Sequence, residues 1–413
     1  MGRSCPTPGA ASPVREGGLV AYDVQAVRSQ FPALVEGLAH FDGPGGTQVP
    51  AAVADAVAHV LRSAVSNRHG DFASSARADA IVEGARDAVG DLLAVDPRGV
   101  VLGPSMTANT YVLAGALAKT WAPGDEVVVS RLDHDANVRP WVQAAAAAGA
   151  TVRWADIDEK TCELPIEQYA DLLTDRTRLV AVTAASNAVG TRPDVRAIAD
   201  AAHARGALLH VDGVHATPHG AVDVPALGAD FYSCSAYKWY GPHVGITVAD
   251  PALLETLRPD KLVPSSDDVP DRFERGTSSF EQLAGVAAAV DWIAALGTGA
   301  TRRERVVDAM SMIEAHELDV FTRLYDGLSA RDDVTLLGCP SRRTPTVGFT
   351  VDRRTPQQVA KALGDKGICV WAGNYYAVEL MRRVGLEDSG GAVRAGVVCY
   401  STTDEVDRLL GAL

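Results

Sequence analysis

Lysine is scarce in this chain, with six residues against thirty-two arginines among 413. Aromatic residues are sparse too, at 6%. No apolar run approaches the roughly 20 residues that a helix needs to cross a bilayer. Positive charge is in deficit. A formal net charge of −14 argues against nucleic-acid and anionic-membrane partners, since both need a basic surface. The six cysteines, at 5, 162, 234, 339, 369 and 399, form no CxxC pair and no metal-ligand spacing. Free thiols and a cytoplasmic location are therefore expected. Ten histidines make no HExxH or comparable cluster, so no metal site is expected. GxGxxG and P-loop motifs are missing, which argues against a nucleotide-binding enzyme. Residues 1–20 are rich in Gly, Pro, Ser and Ala and lack an apolar signal core. They read as a flexible tail, not a targeting segment.

What is present is a globular composition, 47% apolar and 22% charged. The length suffices for two or three domains at most. From about residue 50 to 250, short apolar runs alternate with Ala-rich amphipathic stretches. Strands are expected at 100–102, 126–130, 151–154, 179–183, 208–211, 231–233 and 244–248. Helices are expected at 105–119, 139–148 and 193–205. This alternation predicts an α/β domain around a mostly parallel sheet of seven strands. Residues 258–281 are polar and contain proline, and read as a long functional loop. A helical stretch over about 282–330 leads into an α+β part with strands near 346–351, 368–371 and 393–399. The expected division is a large domain over 33–293 and a small one from 21–32 and 294–413.

One of the rare lysines, Lys238, stands in Ser235-Ala236-Tyr237-Lys238-Trp239-Tyr240-Gly241-Pro242. A lysine among aromatics is held toward the neutral amine, the form needed for Schiff-base chemistry with a carbonyl cofactor. Upstream, Asp212 ends the apolar run Leu208-Leu209-His210-Val211. A lysine for the aldehyde and a carboxylate for the pyridinium nitrogen are what pyridoxal 5'-phosphate (PLP) chemistry requires. Taken singly, a snorkelling lysine and a helix-capping aspartate account for these residues equally well. Three further segments follow predicted strands: Gly103-Pro104-Ser105-Met106-Thr107, suited to a phosphate at a helix start, then Asp133-His134-Asp135, then Ser186-Asn187-Ala188. With Val211-Asp212-Gly213-Val214-His215, all fall at strand ends, where one ligand in an α/β crevice would touch them.

In these segments, and in Phe41-Asp42-Gly43-Pro44-Gly45-Gly46-Thr47-Gln48 and Val393-Arg394-Ala395-Gly396, the chain resembles fold-type I PLP enzymes of the class V aminotransferase family. It is most similar to the cysteine desulfurase-like and selenocysteine lyase branch. The resemblance implies a homodimer in which Lys238 carries the cofactor, Asp212 meets its ring nitrogen, His134 stacks on the ring and Asn187 reaches its phenolic oxygen. It further implies phosphate contacts from Ser105, Met106, Ser235 and Tyr237. Thr277 would reach the neighbouring subunit's active site, and Arg394 would clamp the substrate carboxylate.

The chain departs from that pattern in the loop Val370-Trp371-Ala372-Gly373-Asn374-Tyr375-Tyr376. Tyr376 stands where desulfurases carry a cysteine nucleophile, and a phenol cannot hold sulfur as a persulfide. Trp371 replaces an arginine, His215 a glutamine and Tyr237 a histidine. His215 remains able to donate to the phenolic oxygen. Tyr376 and Asn374 are candidates for contact with the substrate. Cys369 and Cys399 lie in apolar, strand-like runs and read as buried, inert thiols. The implied chemistry is an external aldimine, α-proton removal by Lys238, and β-elimination from a small amino acid. The alternatives are transamination and epimerisation, or, outside catalysis, a silent scaffold of the same fold.

Overall fold

The structure, a computed structural model, describes residues 22–413. The segment read as a tail, with Cys5, lies outside the described residues. A short strand, β1 (Ala39–His40), opens the fold. Seven strands then form the large sheet: β2 (Val100–Gly103), β3 (Glu126–Ser130), β4 (Thr151–Ala155), β5 (Thr177–Thr183), β6 (Leu208–Asp212), β7 (Phe231–Ser235) and β8 (Gly245–Ala249). Their order is β2-β8-β7-β6-β5-β3-β4. All neighbours run parallel except β8, which is antiparallel to both β2 and β7. The strands are near-continuous apolar runs, as in β3 with Val127, Val128 and Val129 fully buried. Such runs are expected where helices cover both faces.

The remaining strands are β9 (Val334–Leu337), β10 (Thr346–Val351), β11 (Ile368–Cys369), β12 (Trp371–Gly373) and β13 (Ala392–Gly396). A four-stranded antiparallel sheet runs β12-β13-β10-β9, while β11 pairs in parallel with β1. The single strand expected at 368–371 is thus two strands in two sheets, and β9 and β1 were not foreseen. The helical stretch is two helices, Phe280–Leu296 and Arg302–Ser329. Gly297, Thr298 and Gly299 break it, and the second helix restarts on a Thr301/Glu304 capping box.

Most core residues from Val320 onward, with Ala39 and Phe41, form an apolar cluster of their own. Val27 and Phe31 belong instead to the main cluster of the large sheet. The long polar segment is irregular and is anchored by Arg86, whose guanidinium meets Asp271 and Glu274 at 2.9 Å. Cys162, Cys234, Cys369 and Cys399 carry free thiols; Cys399 is buried as expected, but Cys369, at the end of the short β1–β11 ribbon, is only half-buried. Cys339 is disulfide-bonded, against the expectation of free thiols throughout.

Candidate active site

The C-terminal ends of the parallel strands converge on one cavity. Its lining includes Ser105, His134, Asn187, Asp212, His215 and Lys238. Met106, Ser235 and Tyr237 line it as well. Close approaches at glycines shape this cavity and an outer one beside it, which shares Tyr237 and is lined by Asp42, Gly45 and Trp371. A Cβ on Gly245 would lie 2.0 Å from the Ser105 carbonyl carbon, so only glycine lets β8 pass under the turn that starts the 106–118 helix. A Cβ on Gly45 would lie 2.6 Å from the Trp371 indole nitrogen.

Lys238 follows β7 on a short 3-10 turn and is buried. Its ammonium donates to the Pro44 carbonyl. Burial and the nearby Arg394 lower its pKa to about 7, with Asp212 pulling the other way. Asp212 ends β6 and accepts the Val214 N–H at 2.9 Å. Burial raises its carboxyl to about 6, against the Val214 N–H and Lys238. His134 accepts the Ala136 N–H on Nδ1 at 3.0 Å, which leaves the proton of the neutral ring on Nε2. Burial, with Lys238 and Arg394, lowers its pKa to about 3, so it is a neutral aromatic plate.

His215 is 2% exposed. Its Nε2 lies 3.0 Å from Thr346 Oγ1, and its Nδ1 is buried without a partner. Behind it, the His219 ring stands edge-on at 5.0 Å. His219 in turn meets the buried Glu317 carboxylate at 2.7 Å.

Arg394, on β13, is buried beneath the same loops. Nη1 donates to the Asn187 carbonyl at 2.9 Å, and the guanidinium lies 4.5 Å over the Tyr375 ring. Burial lowers its pKa to about 10. The loop above it is clamped to the large sheet. Asn187 Nδ2 donates to the Tyr375 carbonyl at 2.9 Å, and the Asp135 N–H donates to the Tyr376 carbonyl at 2.8 Å. Tyr375 and Tyr376 take φ of 54° and 60°. Two successive non-glycine residues in the left-handed region are strained, and such strain clusters at functional sites. Tyr376 is 69% exposed. Its ring stacks on His134 at 5.3 Å and 25°.

Two candidates stand apart from the cavity. Thr277 is exposed on the long loop. Asn374 binds Glu387 through its amide at 3.1 Å and caps the Tyr376 N–H with its oxygen, so it shapes the loop. The Pro44 carbonyl, Thr346 and the His219–Glu317 pair were not foreseen. Only Pro44 had a signal, its place in a Gly-rich run. Among the described residues, no cysteine lines either cavity.

A strand-end lysine and aspartate at one crevice of a mostly parallel seven-stranded sheet define a fold-type I transferase. The chain belongs to the aminotransferase class-V family, which matches residues 39–409, and it is a PLP-dependent enzyme. It is 38% identical to an uncharacterized Mycobacterium tuberculosis protein, MT3887, across 95% of this chain and 99% of that one. It is 33% identical to the cysteine desulfurase of Dickeya dadantii, across 95% and 96% of the two chains. The solved structure of the cysteine desulfurase CsdA from Escherichia coli superimposes with a TM-score of 0.83 at 26% identity, covering 95% and 98%. The site suits PLP by its own geometry. Asn187 Oδ1 and His215 Nδ1 are buried without partners beside Lys238. A buried unsatisfied group costs about 1–3 kcal/mol, which a ligand's acceptor or donor would offset.

Proposed function

We propose that this enzyme is a desulfurase-like C–S lyase that eliminates the β-substituent of a small sulfur-bearing amino acid. The carrying observation is the lining of the cavities, which among the described residues holds no thiol, with Tyr376 on the loop above. With no thiol lining the cavities to accept it, the substrate's sulfur leaves as sulfide and none is taken up by the protein. Cys399 is fully buried, and burial pushes its thiol well above its usual pKa.

When bound, PLP supplies an aldehyde for the amino group and an electron sink for charge at Cα. Lys238 would hold that aldehyde and, once the substrate's amine displaces it, would take the Cα proton. A pKa of about 7 suits a base working near neutrality. Asp212 would face the ring nitrogen, where a protonated pyridinium would hold its carboxylate charged against the burial that raises it. His134 would lie against the ring face, while Asn187 and His215 would hold the phenolic oxygen. Ser105, Met106, Ser235 and Tyr237 would hold the phosphate. Arg394 grips the substrate carboxylate through its fork. Tyr376 gives a proton to the departing sulfur. Thr277 completes the neighbouring site in a homodimer. In mixed dimers of Lys238→Ala and Thr277→Ala chains, that role predicts that cofactor binding at the intact lysine depends on which chain supplies the threonine.

Product analysis with L-cysteine tests the reading. Pyruvate, sulfide and ammonia without alanine support it. Alanine with sulfide overturns it in favour of desulfuration through a thiol. A keto acid without ammonia, or D-cysteine, overturns it in favour of transamination or epimerisation.

A further inference from the structure

β1 and β11 bring three ligand-type side chains together from opposite ends of the chain. The two strands pair in parallel with His40 beside Cys369. Register neighbours share a face of the ribbon, and so does a residue two positions further along an extended chain. Asp42 is that residue; the chain turns there, at φ −90° and ψ 5°, and a bridge to Gly396 holds the turn against the sheet. His40 Nδ1 lies 3.2 Å from Asp42 Oδ1. One atom each of the imidazole, the carboxylate and the thiol lie within 4.8 Å of one another.

We propose that His40, Asp42 and Cys369 form a binding site for a thiophilic divalent cation of the zinc class. Nitrogen, oxygen and sulfur at about 2.0–2.3 Å are zinc's own ligand set, and three protein ligands leave a fourth position open. Calcium and magnesium need more oxygens than this cluster holds. Charge balances without any redox step. Cys369 releases one proton as its sulfur joins the metal, so carboxylate and thiolate together neutralise the dication. The imidazole and carboxylate are 10% and 30% exposed, sheltered yet open to an entering ion.

The site abuts the pocket. Asp42 lines the outer cavity with Gly45, Tyr237 and Trp371. The Asp42 carboxylate is also among the groups that draw Arg394's pKa upward. A bound cation takes that charge away from Arg394 and ties β1 to β11. The proposal does not depend on which reaction the enzyme catalyses.

Cobalt(II) titration of the purified holoenzyme tests it, because ligand-field bands of four-coordinate cobalt fall to the red of the cofactor's absorption. The expected result is one cobalt per chain with such bands. Zinc displaces it and protects Cys369 from alkylation in peptide mass mapping. Cys369→Ser and His40→Ala remove the bands and weaken zinc binding by at least roughly tenfold against a chromogenic chelator. Cys399→Ser changes neither. Bands that fail to form, or persist unchanged in Cys369→Ser, overturn the proposal. Cys369→Ser exchanges only one sulfur for oxygen, so the test stands even where His40→Ala fails to fold.

Discussion

Lys238 stands on a wall of strand ends, and Tyr376 stands on a loop; the first is 8% exposed and the second 69%. The strand-end wall is held by the sheet's own hydrogen bonds, and burial there moves Lys238, Asp212 and His134 away from their ordinary protonation. The loop is held by a few long-range contacts to Asn187 and Asp135, with two strained residues at its tip. Burial tunes chemistry, because desolvation acts on charge. An exposed loop tunes what is recognised and how it leaves, because its side chains vary without disturbing a core.

Breaking the strand-end wall should have the largest effect. Lys238→Ala should slow deuterium exchange at the substrate's Cα by about 10³-fold or more, read by NMR. Exchange at the wild-type rate would place the base elsewhere and abolish the contrast. Tyr376→Phe should slow sulfide release by about 10²-fold, yet leave Cα exchange intact. If both rates fell together, the loop would belong to the same chemistry as the lysine. Gly245→Ala should displace the Ser105–Met106 turn and cost about 1–3 kcal/mol of cofactor affinity, measured by fluorescence titration. Unchanged affinity would mean that this turn does not hold the phosphate.

The smallest effect is on pH. Lys238 must be neutral to attack an aldehyde, and its pKa of about 7 lies below the ordinary lysine value. The rate of PLP capture by the apoprotein should therefore rise about tenfold per pH unit up to about 7 and then flatten. A rise that continues toward pH 10 would show that the strand-end wall does not lower the lysine.

The large sheet was legible because its strands are short runs of apolar, often β-branched residues, and ligands sit beyond such strands' C-terminal ends. That rule put Asp212 and Lys238 at strand ends, and the family resemblance supplied their expected roles. Asn374 could not, because its partner Glu387 lies in the following turn and nothing local marks the pair. The helical stretch hid its break because Gly297, Thr298 and Gly299 are a brief interruption in a continuing helical pattern.

The sequence by itself determined the alternation of strands and helices, the lysine–aspartate pair and the tyrosine in the loop. These are local patterns, set by side-chain periodicity and by which residue types stand at strand ends. Only the tertiary structure decided that Arg394 lies under Tyr375, that Glu317 backs His219 behind His215, and that Cys369 meets His40 and Asp42. Those groupings join distant parts of the chain. They arise from burying two sheets and their helices together, a global condition that no local pattern records.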